Sequence, residues 1–145
     1  MNRNKLKILV LSDLKQNSKD TLKYASNLAK EFNGALELLC VKEPNETITT
    51  ENPLSAMLNL SSTYIKTEQK LNKQIENITK EDFFPVKKII EFGNVKNEIE
   101  KRIEHSNPEF IIIGKKQKRL LNYSTDNITV FLLKKYNSKV CISNK

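Results

Sequence analysis

The chain has 145 residues, enough for one domain over 1–145, and its 38% apolar and 29% charged residues suit a soluble globular protein. No apolar run approaches the ~20 residues of a membrane-spanning helix, which excludes a helical span. A formal charge of +8 raises polyanion binding, but arginine occurs only at Arg3, Arg102 and Arg119 and the lysines are scattered, so no nucleic-acid partner is assigned.

Alternation organises the sequence. KILVLS, 7 to 12, is a short apolar run without helical period, which predicts a strand buried on both faces. Asp13 follows it directly, without a small-residue cleavage site, so the start does not read as a signal peptide and the chain is expected to be cytoplasmic. Leu22, Ala25, Leu28, Ala29 and Phe32 then recur at spacings of three and four, which predicts a helix with Asn17 or Ser18 as its cap and Gly34 as its stop. ALELLCV, 35 to 41, reads as a second buried strand.

The polar stretch from Lys42 to Pro53 reads as a long loop. A helix is predicted from about Leu54 to Lys80, with Tyr64, Leu71, Ile75 and Ile78 as its apolar stripe. FFPVKKIIEF, 83 to 92, is a third strand, and its Pro85 and paired lysines suit a sheet edge. After Gly93, VKNEIEKRIEHS places Ile99 and Ile103 on one helical face, and Pro108 breaks the chain before the strand EFIIIG. A helix, NITVFLLKKYN, and a last strand, KVCIS, complete the chain.

Strands alternating with helices predict a doubly wound, mostly parallel α/β fold of five strands in the order 3-2-1-4-5, with helices on both faces. Ligands of such sheets sit beyond the carboxyl ends of the strands where the order reverses, here between the first and fourth. Asp13 closes the first strand and Gly114 the fourth, so an acid and a glycine face one crevice. Neither standard phosphate-binding glycine fingerprint occurs.

Chemistry of other kinds finds little support. Cys40 and Cys141 lie far apart in apolar runs, which reads as two reduced core thiols; no cysteine and histidine spacing suggests a metal. The single histidine, His105, falls near a predicted helix end, where it complements the helix dipole. No nucleophile and base set is present, so the protein is not read as an enzyme.

KILVLSDLKQNSKDTLKYASNLAKEFNGALELLCVKEP, 7 to 44, resembles the opening strand, helix and strand of the universal stress protein family. EFGNVKNEIEKRIEHSNPEFIIIG, 91 to 114, resembles its third strand, glycine, helix and fourth strand. The likeness covers nearly the whole chain and is weakest from 43 to 82. It implies a small cytoplasmic homodimer, commonly paired through the last strand, here Val140, Cys141 and Ile142. Some members bind ATP, with an acid after the first strand, backbone after the second, and a loop of the form G-x-x-G, nine residues, G-[ST] around the phosphates. Asp13 matches the acid, Val41 the backbone position and Gly114 the first glycine.

The rest of that pattern is altered. Gln117 stands at the second glycine, and the final pair falls at Asp126-Asn127 or Asn127-Ile128, neither with a glycine. Glycine lets backbone N–H groups approach a phosphate, and Gln117 obstructs this. Ser124, Thr125, Asp126 and Asn127, placed at a helix start, offer that terminus its own caps, and the Asp126 carboxylate would repel a phosphate. Against this, Lys115, Lys116, Lys118 and Arg119 can draw an anion by charge alone. The leading expectation is a dimeric, non-catalytic binding and signalling module with unidentified protein partners and no cofactor. The alternative is an ATP-binding stress protein, a slow ATPase at most, using Asp13, Val41 and the basic loop.

Overall fold

The structure, a computed structural model, describes residues 6–12, 17–42, 53–79, 85–114 and 123–143. Within them run β1 (Lys7–Leu11), α1 (Asn17–Phe32), β2 (Ala35–Lys42), α2 (Pro53–Thr79), β3 (Val86–Phe92), α3 (Val95–Ser106), β4 (Phe110–Gly114), α4 (Tyr123–Lys135) and β5 (Val140–Ser143). The five strands form one sheet in the order β3-β2-β1-β4-β5, and every neighbouring pair is parallel. Fold and strand order therefore agree with the sequence expectation, as does β3 at an edge.

Successive strand residues face opposite sides of a sheet, so strands buried twice must be apolar at every position. Ile8 and Val10 of β1, Leu36, Leu38 and Cys40 of β2, and Ile112 of β4 pack on one face with Leu22, Ala25 and Ala29 of α1 and Leu71 of α2. Leu9, Leu39, Ile89, Ile111 and Ile113 pack on the other with Ile99 and Ile103 of α3 and Leu132 of α4. Each fully buried Leu or Ile contributes about 1.5–3 kcal/mol relative to exposure, so these two layers hold the helices to the sheet.

Several local expectations are corrected. Asn33, not Gly34, takes the left-handed conformation that ends α1 (φ 52°); Asn tolerates it because its short polar side chain can bond locally. Gly34 is required for another reason: an added Cβ would lie 2.8 Å from the Leu6 carbonyl oxygen. Phe32, expected in the core stripe of α1, is exposed. In α2 the buried positions are Thr67, Leu71 and Gln74, whereas Tyr64 is partly exposed and tilts against Phe92 with ring centroids 6.5 Å apart. Thr67 can be buried because its hydroxyl donates to the Thr63 carbonyl at 2.8 Å. β3 runs from Val86, with Pro85 just before the strand, and the expected start at 83 lies outside the described residues.

The amino ends of the strands carry a partly buried polar knot. Arg102 Nη2 donates to Glu37 across 3.4 Å, and Ser106 Oγ donates to Glu37 Oε1 at 3.1 Å. Glu37 is thus the one charged side chain on an otherwise apolar run, and it is paired rather than left desolvated. α3 is closed at both ends. Asn94 caps its start by accepting from the Asn97 N–H at 3.0 Å, and Asn107 ends it in the left-handed conformation, its N–H donating to the Ile103 carbonyl. His105 lies in the last turn of α3, as expected.

Candidate functional site

The order β2-β1-β4 makes β1 the centre of the sheet, with the direction of winding reversing between β1 and β4. The Ser12 N–H donates to the Leu39 carbonyl at 2.9 Å, so odd-numbered residues of β2 direct their peptide groups towards β1. Val41, two residues on, keeps that direction beyond the point where the described part of β1 ends. On the other side the Ile111 N–H donates to Lys139 of the β5 approach at 2.8 Å, so the peptide groups of Ile112 and Gly114 turn back towards β1. The register carries Ser12 level with Gly114, since Val10 is opposite Ile112. Val41 and Gly114 therefore converge on the carboxyl end of β1 from its two flanks.

Gly114 has a packing reason independent of any ligand. A Cβ built there would lie 2.6 Å from Thr21 Oγ1, and Thr21 is 1% exposed. The first turns of α1 are thus drawn against the end of β4, closer than any side chain at 114 would allow. Sequence reasoning missed Thr21, although its spacing of four from Ala25 puts it on the buried side of α1. Ser12 and Ser26 are also buried polar residues beside this end of the sheet or along α1, and neither was singled out.

Of the other expected site residues, Asp13, Lys115, Lys116 and Gln117 lie outside the described residues. Asp126 and Asn127 are described as backbone within α4. That helix opens at Tyr123, four residues before the expected Asn127, so both belong to its first turns rather than preceding it. Ser, Thr, Asp and Asn are tolerated in a first turn, where N–H groups lack intrahelical partners, which accounts for the earlier start. Asp126 stays near the positive end of the helix dipole in either placement.

The strand expected to pair two copies, β5, forms the second edge of the sheet. Lys139 and, by alternation, Cys141 face β4, so the N–H groups of Val140 and Ile142 point out of the sheet. Val140 packs partly on the α3 and α4 face, Cys141 on the α1 and α2 face, and Ile142 is 40% exposed. Both cysteines are free thiols, and burial pushes the Cys141 thiol above its ordinary range. Among the described residues no group of three or more His, Cys, Asp or Glu is placed to hold a metal ion, and no helix is long and apolar enough to cross a membrane. A shallow groove of about 390 Å³ lies along α3, lined by Asn94, Asn97, Glu98, Glu100, Lys101 and Glu104, away from the end of β1.

The universal stress protein UspA from Lactobacillus plantarum superposes with a TM-score of 0.76 at 16% identity, covering 99% of this chain and 100% of its own. Hypothetical protein MJ0577 gives 0.66 at 27% identity over 97% of this chain and 98% of its own. The universal stress protein from Archaeoglobus fulgidus in complex with dAMP gives 0.63 at 16% identity, with 94% and 96% covered. No curated protein matches the sequence. The profile of the universal stress protein family matches residues 6–132, over both flanks of the β1 crevice and through α3 and β4 into α4. The chain belongs to the universal stress protein family.

Proposed function

We propose that the protein is a cytoplasmic, homodimeric binding and signalling module, without catalytic activity and without a bound nucleotide, that acts through protein partners. The observation that carries this reading is at Gly114. Its lack of a side chain is accounted for by the Thr21 hydroxyl at 2.6 Å from a built Cβ, so the one glycine left of the phosphate-loop pattern has a purpose in packing. Gln117 in place of the second glycine and Asp126 in the first turns of α4 support the same conclusion. Pairing is assigned to β5, whose outward N–H groups and exposed Ile142 form an edge that needs covering.

A second reading has a specific basis. The peptide groups of Val41 and Gly114 converge on the end of β1, and the Archaeoglobus fulgidus relative is described in complex with dAMP. On that reading Asp13 holds the adenosine, the Val41 backbone touches the base, and Lys115, Lys116 and their neighbours draw the phosphates of an adenine nucleotide. Calorimetric titration of ATP, ADP and AMP into nucleotide-free protein, at low and near-physiological salt, separates the two. The leading reading expects no heat, or heat abolished by salt as for a loose basic loop. Saturable binding that survives salt and is lost in Asp13→Ala would replace it with the second.

A further inference from the structure

We propose that the outer face of the first half of α2 is a self-association surface, on which the same helix of a second copy packs antiparallel about a two-fold axis. This contact is separate from β5 and does not rest on pairing there. Leu54, Leu58 and Ile65 are 63%, 61% and 54% exposed. At 3.6 residues per turn they share one narrow stripe with the exposed Ser61, and that stripe lies well over a right angle from the core-facing Thr67, Leu71 and Gln74. The helix therefore has two apolar sides, and the sheet covers one of them.

Three features point to a second copy as the occupant. First, no charged residue occurs from Pro53 to Ile65, although the chain carries +8. Two such chains repel over most of their surface, and like charges meeting across a two-fold axis cost energy; an uncharged stripe avoids this. Second, the spacing of 54, 58, 61 and 65 is 4-3-4, the seam of a helix pair, and it reads the same from either end. An antiparallel partner centred between 59 and 60 sets Leu54 against Ile65 and Leu58 against Ser61. Large thus meets small at the middle, where the axes must approach, and large meets large at the ends. Third, antiparallel helices oppose their dipoles, so α2 gains from this orientation as it would not from a parallel one. A different apolar helix would fill the stripe equally well, but it would have no need of the symmetry.

Sedimentation equilibrium of the full chain with β5 blocked tests this directly. Ile142→Pro removes an outward N–H while sparing the bonds to β4, and Ile142→Lys serves if the proline variant fails to fold. The blocked protein is expected to remain in reversible self-association. Adding Leu58→Lys should raise its dissociation constant at least ~100-fold, since each interface then buries two new cations and loses two leucines. Ser61→Arg should act similarly by filling the centre. On a Cys141→Ser background, a mixture of Leu58→Cys and Ser61→Cys proteins should cross-link on oxidation more readily than either alone. A blocked protein that is monomeric to high concentration, or whose association ignores Leu58→Lys, would overturn the proposal. Uptake of a monomer by phosphatidylserine vesicles through the same stripe would overturn it too, by assigning α2 to a lipid surface.

Discussion

Gly114→Ala is the sharpest test of how the end of β4 is built. The new methyl would sit 2.6 Å from Thr21 Oγ1, well inside van der Waals contact. Thr21 is β-branched and 1% exposed, so turning it about χ1 puts either its methyl or its Cβ hydrogen towards position 114 and forces the displaced hydroxyl into surroundings that are already packed. Either α1 moves away from the sheet or β4 bends, and overpacking of this kind costs about 2 kcal/mol. Urea unfolding followed by circular dichroism should show the midpoint lowered by roughly 1 M, taking a slope of about 2 kcal/mol/M. Thermal unfolding should fall by about 6 °C. Thr21→Ala alone is also destabilising, since it empties a buried site. The double variant should recover at least ~1 kcal/mol of the summed loss, because the alanine methyl then occupies the space that the threonine leaves. Additivity within about 0.5 kcal/mol, or a Gly114→Ala protein as stable as the parent, would refute a packing role and return Gly114 to a ligand-binding explanation.

Two further outcomes are expected. Asn94→Ala removes the side chain that accepts from the Asn97 N–H at 3.0 Å, and should cost about 1 kcal/mol in the same urea titration, with the strand content of the native baseline unchanged; no loss would mean that solvent caps α3 equally well. Burial raises the Tyr136 phenol above its ordinary value, opposed by Lys135 and reinforced by the Glu100 and Glu104 carboxylates. The fold therefore favours the protonated phenol, a contribution present below the unfolded-state pKa and lost as pH rises through the folded one. Unfolding midpoints should fall as pH passes about 10, and Tyr136→Phe should make that fall shallower; an unchanged slope would locate the alkaline sensitivity elsewhere.

Much of the architecture follows from the sequence alone. Strand segments such as Ile111–Ile113 and Ile8–Val10 are apolar at every position, which only a sheet covered on both faces can satisfy, and the intervening 3.6-residue periods supply the covering helices. Those two periodicities, with right-handed crossovers, also restrict the strand order, and the observed β3-β2-β1-β4-β5 is the expected one. Pro85 and Lys87-Lys88 marked the β3 edge because an edge alone tolerates a missing N–H and paired cations. Tertiary structure decided what depends on residues distant in sequence. The reason for Gly114 lies at Thr21, and the pairing of Glu37 lies at Arg102 and Ser106. A sequence window cannot separate a glycine kept for a phosphate from one kept for a neighbouring helix, since both need only the absence of Cβ. The two sides of α2 likewise carry apolar residues at helical spacing, and only the position of the sheet shows that Leu71 is buried while Leu58 faces solvent.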